Sequence, residues 1–228
     1  MMKIDCTSYN KGQASMTIKN YYNKNYFIWQ KTVGEFGGWA NITKFQLFIK
    51  PNDNVLDFGC GGGYLLKNLD CKDRVGIDIN SVARKEAARN KLVAYETIDE
   101  VNDNWADVII SNNSLEHCSY PLEILKKLYD KLKPGGKIIL VTSCESIGYR
   151  YNLSDINMHL YSWSPQCLGN LFIKAGYIVD EVKPYIHKWP PAYKIIARIG
   201  GRYFFDICAR IWGHLERSWF QVRIVAHK

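Results

Sequence analysis

The chain has 228 residues, of which 47% are hydrophobic and 23% charged. This composition is typical of a globular domain with a substantial core, and it excludes disordered, collagen-like and coiled-coil chains. No apolar run approaches the roughly 20 residues of a membrane helix, and the first residues lack the apolar stretch of a secretion signal. We therefore expect a cytoplasmic protein. The seven cysteines are scattered without a C-x-x-C pair, which argues against a disulfide framework or a zinc ribbon.

The net charge of +8 is concentrated near the carboxyl end of the chain. Residues 183–228 contain 9 lysines and arginines but only 2 acidic residues, whereas the rest of the chain is nearly balanced. A local basic excess indicates an anionic partner, which a phosphorylated small molecule, a nucleic acid or a lipid headgroup could each provide. The charge alone does not choose among these three partners.

From residue 53 onward, short apolar runs alternate with helical patterns, which predicts an α/β domain with a mostly parallel sheet. The predicted strands are 53–58, 74–79, 92–96, 107–111, 137–142, 177–182 and 219–226. The predicted helices between them are 62–69, 80–90, 121–132 and 164–175. A long segment, residues 143–163, separates one strand from the next helix, and a loop of that length is expected to be functional.

Two segments lie outside this alternation, one rich in aromatic residues (16–50) and one basic (183–218). Polar residues at every fourth position from Lys194 predict a helix within 192–215. This helix could present a solvated face, form a basic wall for a phosphorylated acceptor, or contact an acidic membrane. We therefore expect a single domain, 1–228, with an N-terminal helical lid (1–50), a core (51–182), and a basic cap with a closing strand (183–228).

A glycine-rich turn follows the first predicted strand, where the sequence reads Asp57-Phe58-Gly59-Cys60-Gly61. Glycines at this point let the backbone approach a ligand that a Cβ atom would block. Nineteen residues after the first glycine, Asp78 ends the second predicted strand, where a carboxylate can accept hydrogen bonds from ribose hydroxyls. A dinucleotide-binding fingerprint would need glycine at the position of Tyr64, so the pattern D-x-G-x-G describes the turn better.

Five motifs occur in order, and together they resemble those of class I S-adenosylmethionine-dependent methyltransferases over residues 50–182. They are Asp57-Phe58-Gly59-Cys60-Gly61, Asp78, Ala106-Asp107-Val108-Ile109-Ile110-Ser111, Leu115-Glu116-His117 and Leu132-Lys133-Pro134-Gly135-Gly136. The resemblance implies a Rossmann-like sheet of seven mostly parallel strands, with the last strand antiparallel and helices on both faces. A helical insertion would precede the last strand. Residues 26–39 also resemble relatives associated with bacterial sugar and surface-glycan biosynthesis.

The same resemblance implies S-adenosylmethionine as cofactor, S-adenosylhomocysteine as its product, and a set of cofactor-binding residues. This set comprises Gln30, Asp57, Gly59, Cys60, Gly61, Asp78, Ile79, Thr97, Ile98, Asn112 and Asn113. In such enzymes the glycine turn lines the methionine part through its backbone, the first aspartate acts on the amino group or on a bound water, and Asp78 binds the ribose.

Catalysis is expected from the long loop and from the Leu-Glu-His motif. Methyl transfer to a hydroxyl needs alignment of the acceptor and removal of one proton, and His159 has a suitable pKa for that task. A role for His159 in only holding the loop to the core is about equally compatible with the sequence. Asp155 is the candidate that orients His159 or binds substrate, and His117 is a second candidate base.

A metal-dependent alternative comes from small-RNA 2′-O-methyltransferases, in which a Glu-His pair and a distant histidine hold a metal ion. Glu116, His117 and His159 could do the same here. Asn113 stands where those enzymes have a further glutamate, so one charged ligand is missing. We therefore predict no metal.

The expected function is transfer of a methyl group from S-adenosylmethionine to a hydroxyl of a small, anionic acceptor, such as a sugar or glycan intermediate. A quinone or lipid phenol methylated at a membrane surface is one alternative, with contact through residues 192–215. An RNA methyltransferase is another, although nucleic acid is not expected because Asn113-Ser114-Leu115 departs from the motif of base-methylating enzymes. The last alternative is a non-catalytic cofactor-binding module.

Overall fold

The computed structural model describes residues 24–152 and 155–228. Its strands are β1 (Asn54–Phe58), β2 (Asp73–Ile77), β3 (Val93–Tyr95), β4 (Ala106–Asn112), β5 (Leu132–Glu145), β6 (Ile178–Tyr185) and β7 (Trp219–His227). Its α-helices are α1 (Lys24–Ala40), α2 (Ile42–Phe45), α3 (Ser81–Arg89), α4 (Pro121–Lys131), α5 (Pro165–Lys174) and α6 (Tyr193–Leu215). Residues 1–23 of the predicted lid lie outside the described residues.

The seven strands form one sheet in the order β3-β2-β1-β4-β5-β7-β6. Strands β1 to β5 run parallel, and β7 is antiparallel to both of its neighbours. The predicted Rossmann-like sheet with an antiparallel last strand is therefore confirmed. The strand order reverses between β1 and β4, and at such a point open α/β sheets form a crevice at the carboxyl ends of their strands.

Hydrophobic side chains pack on both faces of the sheet. In β4, Ile109 joins a core cluster with Leu125 of α4 and Phe172 of α5. Its neighbour Val108 joins a second cluster with Phe45 of α2, because successive side chains of a strand point to opposite faces. Helices consequently cover both faces of the sheet, as the sequence predicts.

Helices α1 and α6 pack against each other through an aromatic cluster centred on Phe36. The ring of Phe36 lies 4.9 Å from that of Trp189, 4.6 Å from that of Tyr193 and 5.3 Å from that of Phe205. A salt bridge of 2.7 Å between Lys31 and Glu86 also connects α1 to α3. The described part of the predicted lid and the predicted insertion before the last strand are thus helical and packed together.

The prediction of a helix over residues 62–69 is wrong. The chain forms turns there, with one short 3-10 helix at Leu66–Asn68. Gly61 and Gly63 have positive φ angles of 53° and 73°, a left-handed conformation that glycine adopts readily and that does not continue a right-handed helix. The glycine run therefore extends the turn after β1 further than the helical pattern suggests.

None of the helices within the described residues combines the length and the apolar composition needed to cross a membrane.

Candidate functional site

Two adjoining cavities lie at the carboxyl ends of the central strands. The strand-end cavity has a volume of about 430 Å³ and is bordered by residues that follow β1, β2 and β3. The lid cavity, of about 560 Å³, lies beneath α1 and α6. Five residues border both cavities: Tyr26, Gln30, Gly59, Asn112 and Asn113. A ligand in one cavity can therefore reach a ligand in the other.

The turn after β1 holds its backbone close to both cavities. The amide of Gly59 donates a 2.8 Å hydrogen bond to the carbonyl of Ile77, which anchors the turn to β2. Gly59 has a φ of 79°, and a Cβ atom placed on it would lie 1.9 Å from Oγ of Ser114. Both the conformation and the space therefore require glycine at this position.

Asp78 connects the glycine turn to the end of β2. Its Oδ2 accepts a 2.8 Å hydrogen bond from the amide of Gly61, and its Oδ1 accepts one of 2.8 Å from the amide of Asn80. Burial raises the pKa of this carboxyl, although the two backbone hydrogen bonds oppose the rise. An ionised carboxylate has about four acceptor sites, so Asp78 retains capacity for two further donors, such as the vicinal hydroxyls of a ribose.

Asp57 is a buried carboxyl, 3% exposed, that borders the lid cavity. It receives no hydrogen bond from the residues that the structure describes. Burial and the nearby charge of Asp78 raise its pKa to about 7. A cation bound in the cavity would stabilise the ionised form of this group.

All eleven residues predicted to bind the cofactor border one or both cavities. Gln30 of α1 lies over the glycine turn, with its amide atoms 3.4 Å from the point where a Cβ of Gly61 would stand. Ile79, Thr97 and Ile98 border the strand-end cavity together with Asp78. The structure thus brings the predicted set together, and the contact of each residue with a cofactor stays a prediction.

A polar network that the sequence analysis missed crosses the lid cavity. Lys44 of α2 is 3% exposed, and its Nζ donates to Oδ1 of Asn112 at 3.1 Å and to Oε1 of Gln221 at 2.9 Å. Gln221 in turn donates to Oδ1 of Asn113 at 2.9 Å. Burial lowers the pKa of Lys44 to about 7, although Glu116 and Asp206 raise it by their charge.

The sequence contained one sign of this network, which was the polar residue Gln221 in the largely apolar last strand. Gln221 is buried in β7 between the apolar residues Phe220 and Val222. The burial of Lys44 had no such signal, because a lysine in a short amphipathic segment usually reaches solvent.

Two further polar pairs lie at the wall of the lid cavity below α6. Nε2 of His187 lies 2.9 Å from Oδ1 of Asp206. Burial opposes ionisation of Asp206, but hydrogen bonds from His187 and Arg210 outweigh it and lower the pKa of this carboxyl. The other pair joins Lys188, which is 5% exposed, to the carboxylate of Glu216. Burial lowers the pKa of His187 and so favours its neutral form, and Glu216 neutralises Lys188. Lys44 differs from Lys188 in that the acceptors of its hydrogen bonds, among the described residues, are neutral amides.

The predicted catalytic residues lie in and beside the long loop. Nδ1 of His159 lies 2.8 Å from Oε1 of Glu145, which occupies the orienting position considered for Asp155. Asp155 accepts hydrogen bonds within its own loop, including one of 2.9 Å from the amide of Met158. The rings of His117 and His159 are 4.9 Å apart, and burial lowers the pKa of His117.

Of the predicted catalytic residues His117, His159 and Asp155, His117 borders the strand-end cavity, whereas His159 and Asp155 border neither cavity. Asn157, two residues before His159 in the long loop, borders the lid cavity. Ligand atoms of Glu116, His117 and His159 all lie within 4.8 Å of one another, as the metal-dependent alternative requires. The Glu116 carboxylate already accepts hydrogen bonds from Oγ1 of Thr142 at 2.8 Å and from the amide of Ser143 at 3.2 Å. The absence of a metal stays a prediction.

Comparison with known proteins finds methyltransferases, the family that the sequence motifs resemble. The chain is 28% identical to phosphoethanolamine N-methyltransferase 1 of Triticum aestivum over 95% of its own length and 45% of that protein. It is 32% identical to the ubiquinone biosynthesis O-methyltransferase of Nitrosococcus oceani over 50% of its own length and 56% of that protein. It spans less than half the length of the curated phosphoethanolamine N-methyltransferases that it matches.

Among solved structures, the fold is similar to a chain in the complex of the Haloferax volcanii Trm112 methyltransferase activator with a methyltransferase. The TM-score is 0.63 at 17% sequence identity, and the match covers 92% of this chain and 97% of that chain. A sequence profile described as a methyltransferase domain matches residues 35–182, which is well over half of the chain. The chain therefore belongs to the methyltransferase domain family, the class I S-adenosylmethionine-dependent methyltransferases that its sequence motifs resemble.

Proposed function

We propose that this chain binds S-adenosylmethionine in the strand-end cavity and transfers its methyl group to a small acceptor held in the lid cavity. The observation that carries this proposal is the shared border of the two cavities, formed by Tyr26, Gln30, Gly59, Asn112 and Asn113. Methyl transfer requires donor and acceptor to meet in line. A common border between two separate cavities provides for such an encounter.

The residues of the strand-end cavity, together with Asp57 and Gly61 on the adjoining wall of the lid cavity, fit this cofactor. The glycine turn leaves the space that a Cβ would fill, and the Asp78 carboxylate has acceptor sites for two hydroxyls. Asp57, buried without a hydrogen bond from the described residues, has the charge that the cofactor's amino group requires. When bound, S-adenosylmethionine supplies a methyl group activated by its sulfonium. The residues of this chain supply orientation, exclusion of water and a proton acceptor.

The lid cavity favours an anionic acceptor because of Lys44. An ammonium has three N–H donors, and two of them are directed to the neutral amides of Asn112 and Gln221. Burial lowers the pKa of Lys44 to about 7, and a phosphate or carboxylate of the acceptor would stabilise the charged form and accept from the third donor. The phosphoethanolamine relatives support an anionic acceptor, since their named substrate carries a phosphate, and the ubiquinone relative supports transfer to a hydroxyl. Sugar phosphates and glycan intermediates are the hydroxyl acceptors that we propose.

His159 is the proton acceptor in this proposal. Nδ1 of His159 is engaged by Glu145. Nε2 is therefore the ring nitrogen that would accept the proton. Glu145 would stabilise the protonated ring, and Asp155 would hold the loop that carries His159. His117, the second candidate base, has its ring 4.9 Å from that of His159, and burial favours its neutral form.

The proposal is tested by incubating the chain with methyl-labelled S-adenosylmethionine and a panel of acceptors. The panel contains sugar phosphates, phosphoethanolamine and the unphosphorylated parent of each compound. Label in a phosphorylated sugar but not in its parent would support an anionic hydroxyl acceptor. Label in phosphoethanolamine alone would replace the hydroxyl by an amine, and calorimetry showing that S-adenosylhomocysteine does not bind would contradict the proposal altogether.

The first prediction concerns the pH dependence of cofactor binding. The pKa of Asp57 is about 7, so below that pH the carboxyl must lose a proton before it can pair with the cofactor's amino group. We expect the Kd for S-adenosylhomocysteine to fall up to about tenfold per pH unit as the pH rises toward 7, and to level off above it. Calorimetric titrations at several pH values measure this slope.

The matched controls for this prediction are Asp57→Asn and Asp73→Asn. Asp57→Asn should remove the slope, because its amide does not titrate. Asp73, an exposed residue at the opposite end of β2, should leave the slope intact when it is replaced. A slope that persists in Asp57→Asn would assign the titration to another group.

The second prediction concerns acceptor binding. Lys44→Met keeps an unbranched side chain of similar length and removes the charge, so we expect the KM for an anionic acceptor to rise about tenfold or more, as for loss of a charge-assisted hydrogen bond. The Kd for S-adenosylhomocysteine should rise by a smaller factor in the same variant, because Lys44 borders only the lid cavity and reaches the cofactor site only through its hydrogen bonds to Asn112 and Gln221. Lys85→Met, at an exposed position of α3, is the control. An unchanged KM in Lys44→Met would exclude Lys44 from acceptor binding.

A further inference from the structure

Helix α6 exposes a row of large apolar side chains to solvent. The row consists of Ile195, Ile199, Tyr203, Phe204, Ile207, Ile211 and Leu215, with exposures from 38% to 82%. Six of these residues follow one another at every fourth position. Scattered exposed apolar residues are ordinary on a protein surface, whereas a contiguous set of this size marks an interaction site.

The row lies opposite the face by which α6 packs onto the protein. Phe205, Ala209 and Gly213, also four residues apart, are buried. The backbone of α6 is not helical at Gly201, where φ is 64° and ψ is −168°. In the segment before this break, Tyr193 and Ile196 pack with the aromatic cluster around Phe36, while Ile195 and Ile199 remain exposed. Helix α6 is therefore apolar on two opposite faces. The rest of the chain covers one of them, and the other is exposed to solvent.

Basic side chains border this exposed row. Lys194, Arg198 and Arg217 are exposed and form no ion pair with any residue in the described ranges. The two acidic residues of this region are already engaged, Asp206 by Arg210 and Glu216 by Lys188. The unpaired charge along the apolar row is consequently positive.

A second copy of the chain is a poor occupant for this surface. In a two-fold symmetric contact each patch meets itself, so the unpaired lysine and arginines of one copy would face those of the other. An anionic lipid bilayer instead offers acyl chains to the apolar row and negative headgroups to its basic border. We propose that the exposed face of α6 binds the surface of an anionic membrane, with the helix lying in the plane of the interface.

This arrangement would bring the lid cavity close to the bilayer. Trp212 of α6 and Glu216, immediately after it, both border that cavity. A membrane-bound chain would thus receive its acceptor at the lipid surface. The binding of α6 to a membrane is inferred from the residues on and beside this helix and does not rest on the proposed function.

Co-sedimentation with lipid vesicles tests the inference. We expect the full chain to sediment with vesicles of equal phosphatidylcholine and phosphatidylglycerol, and not with vesicles of phosphatidylcholine alone. Ile199→Ser and Ile211→Ser should each weaken partitioning about tenfold, as expected for removing a side chain of that size from an apolar phase. Lys194→Gln and Arg198→Gln should each weaken it about fivefold.

The matched controls are Ile173→Ser and Ile178→Ser, which are 63% and 60% exposed at sites away from α6, and Lys85→Gln and Lys174→Gln for charge. These variants should sediment as the unchanged protein does. Equal loss of partitioning in the control and α6 variants would overturn the inference, as would failure of the unchanged chain to bind acidic vesicles. A dimer in sedimentation velocity that Ile211→Ser dissociates would overturn it in favour of a second copy. Unaltered S-adenosylhomocysteine binding in every variant confirms that the surface substitutions leave the strand-end cavity intact.

Discussion

Replacing Asp78 with alanine is expected to weaken binding of S-adenosylhomocysteine by about a hundredfold or more, since two hydrogen bonds to a charged group are lost at ~1.5–3 kcal/mol each. The structure supplies the reason, because Asp78 lies in the strand-end cavity with acceptor capacity left on both carboxylate oxygens. The amide of Gly61 also loses its partner, which loosens the glycine turn. Calorimetric titration measures the affinity, and thermal unfolding measures the change in the turn.

Two further substitutions separate ribose binding from support of the turn. Asp78→Asn keeps one oxygen for the amide of Gly61 but turns an NH2 group toward the amide of Asn80, so it should lose less thermal stability than Asp78→Ala while still losing most of the affinity. Asp73→Asn, at the other end of β2, should change neither quantity. If Asp78→Ala binds the ligand as tightly as the unchanged chain, the ribose contact assigned to Asp78 is wrong.

Gly59→Ala is expected to show the second large effect, a loss of both stability and cofactor binding. The φ of 79° is strained for any residue with a Cβ, and the new methyl would lie 1.9 Å from Oγ of Ser114. Left-handed strain costs about 1 kcal/mol, and forced displacement of a packed neighbour adds about 1–3 kcal/mol. Chemical denaturation measures the sum as the lost free energy of unfolding.

The chain contains a control for each contribution to this loss. Gly135 has a φ of 75° with open space around its Cβ position, so Gly135→Ala reports the conformational strain alone. Ser114→Gly, introduced into the Gly59→Ala background, removes the atoms in conflict and should restore the part of the stability that the clash had cost. Equal destabilisation by Gly59→Ala and Gly135→Ala would show that the contact with Ser114 has no energetic role.

The position and type of nearly every strand and helix after residue 53 could be predicted from the sequence, because periodicity of apolar residues reflects burial directly. Strand β4 illustrates this, since a run of Val108, Ile109 and Ile110 fits a strand buried on both faces. The helix predicted over residues 62–69 failed because backbone conformation at Gly61 and Gly63 outweighed a helical pattern. The apolar pattern predicted most helices and strands correctly, and the error over residues 62–69 came from the positive φ angles of the glycines.

The cofactor side of the site was predictable for a different reason from the acceptor side. Asp57 lies in the last part of β1, close to the turn, and Gly59 and Asp78 directly follow β1 and β2. The carboxyl ends of these parallel strands meet at one edge of the sheet, so local motifs place the three residues together. Lys44 and Gln221 are 177 residues apart and meet only because α2 and β7 pack across the same cavity. No local pattern in the sequence encodes a contact of that kind.

The aromatic cluster around Phe36 has a consequence for engineering acceptor specificity. It joins one helix from before the first strand to another from the insertion before the last strand, and each buries its apolar face on the other. Removing either helix would expose the rings of the other to water. The two segments thus form one exchangeable unit on a separate cofactor-binding scaffold. A chimera that takes α1 and α2 together with residues 186–215 from a related enzyme should fold and change substrate, whereas one that takes either half alone should aggregate.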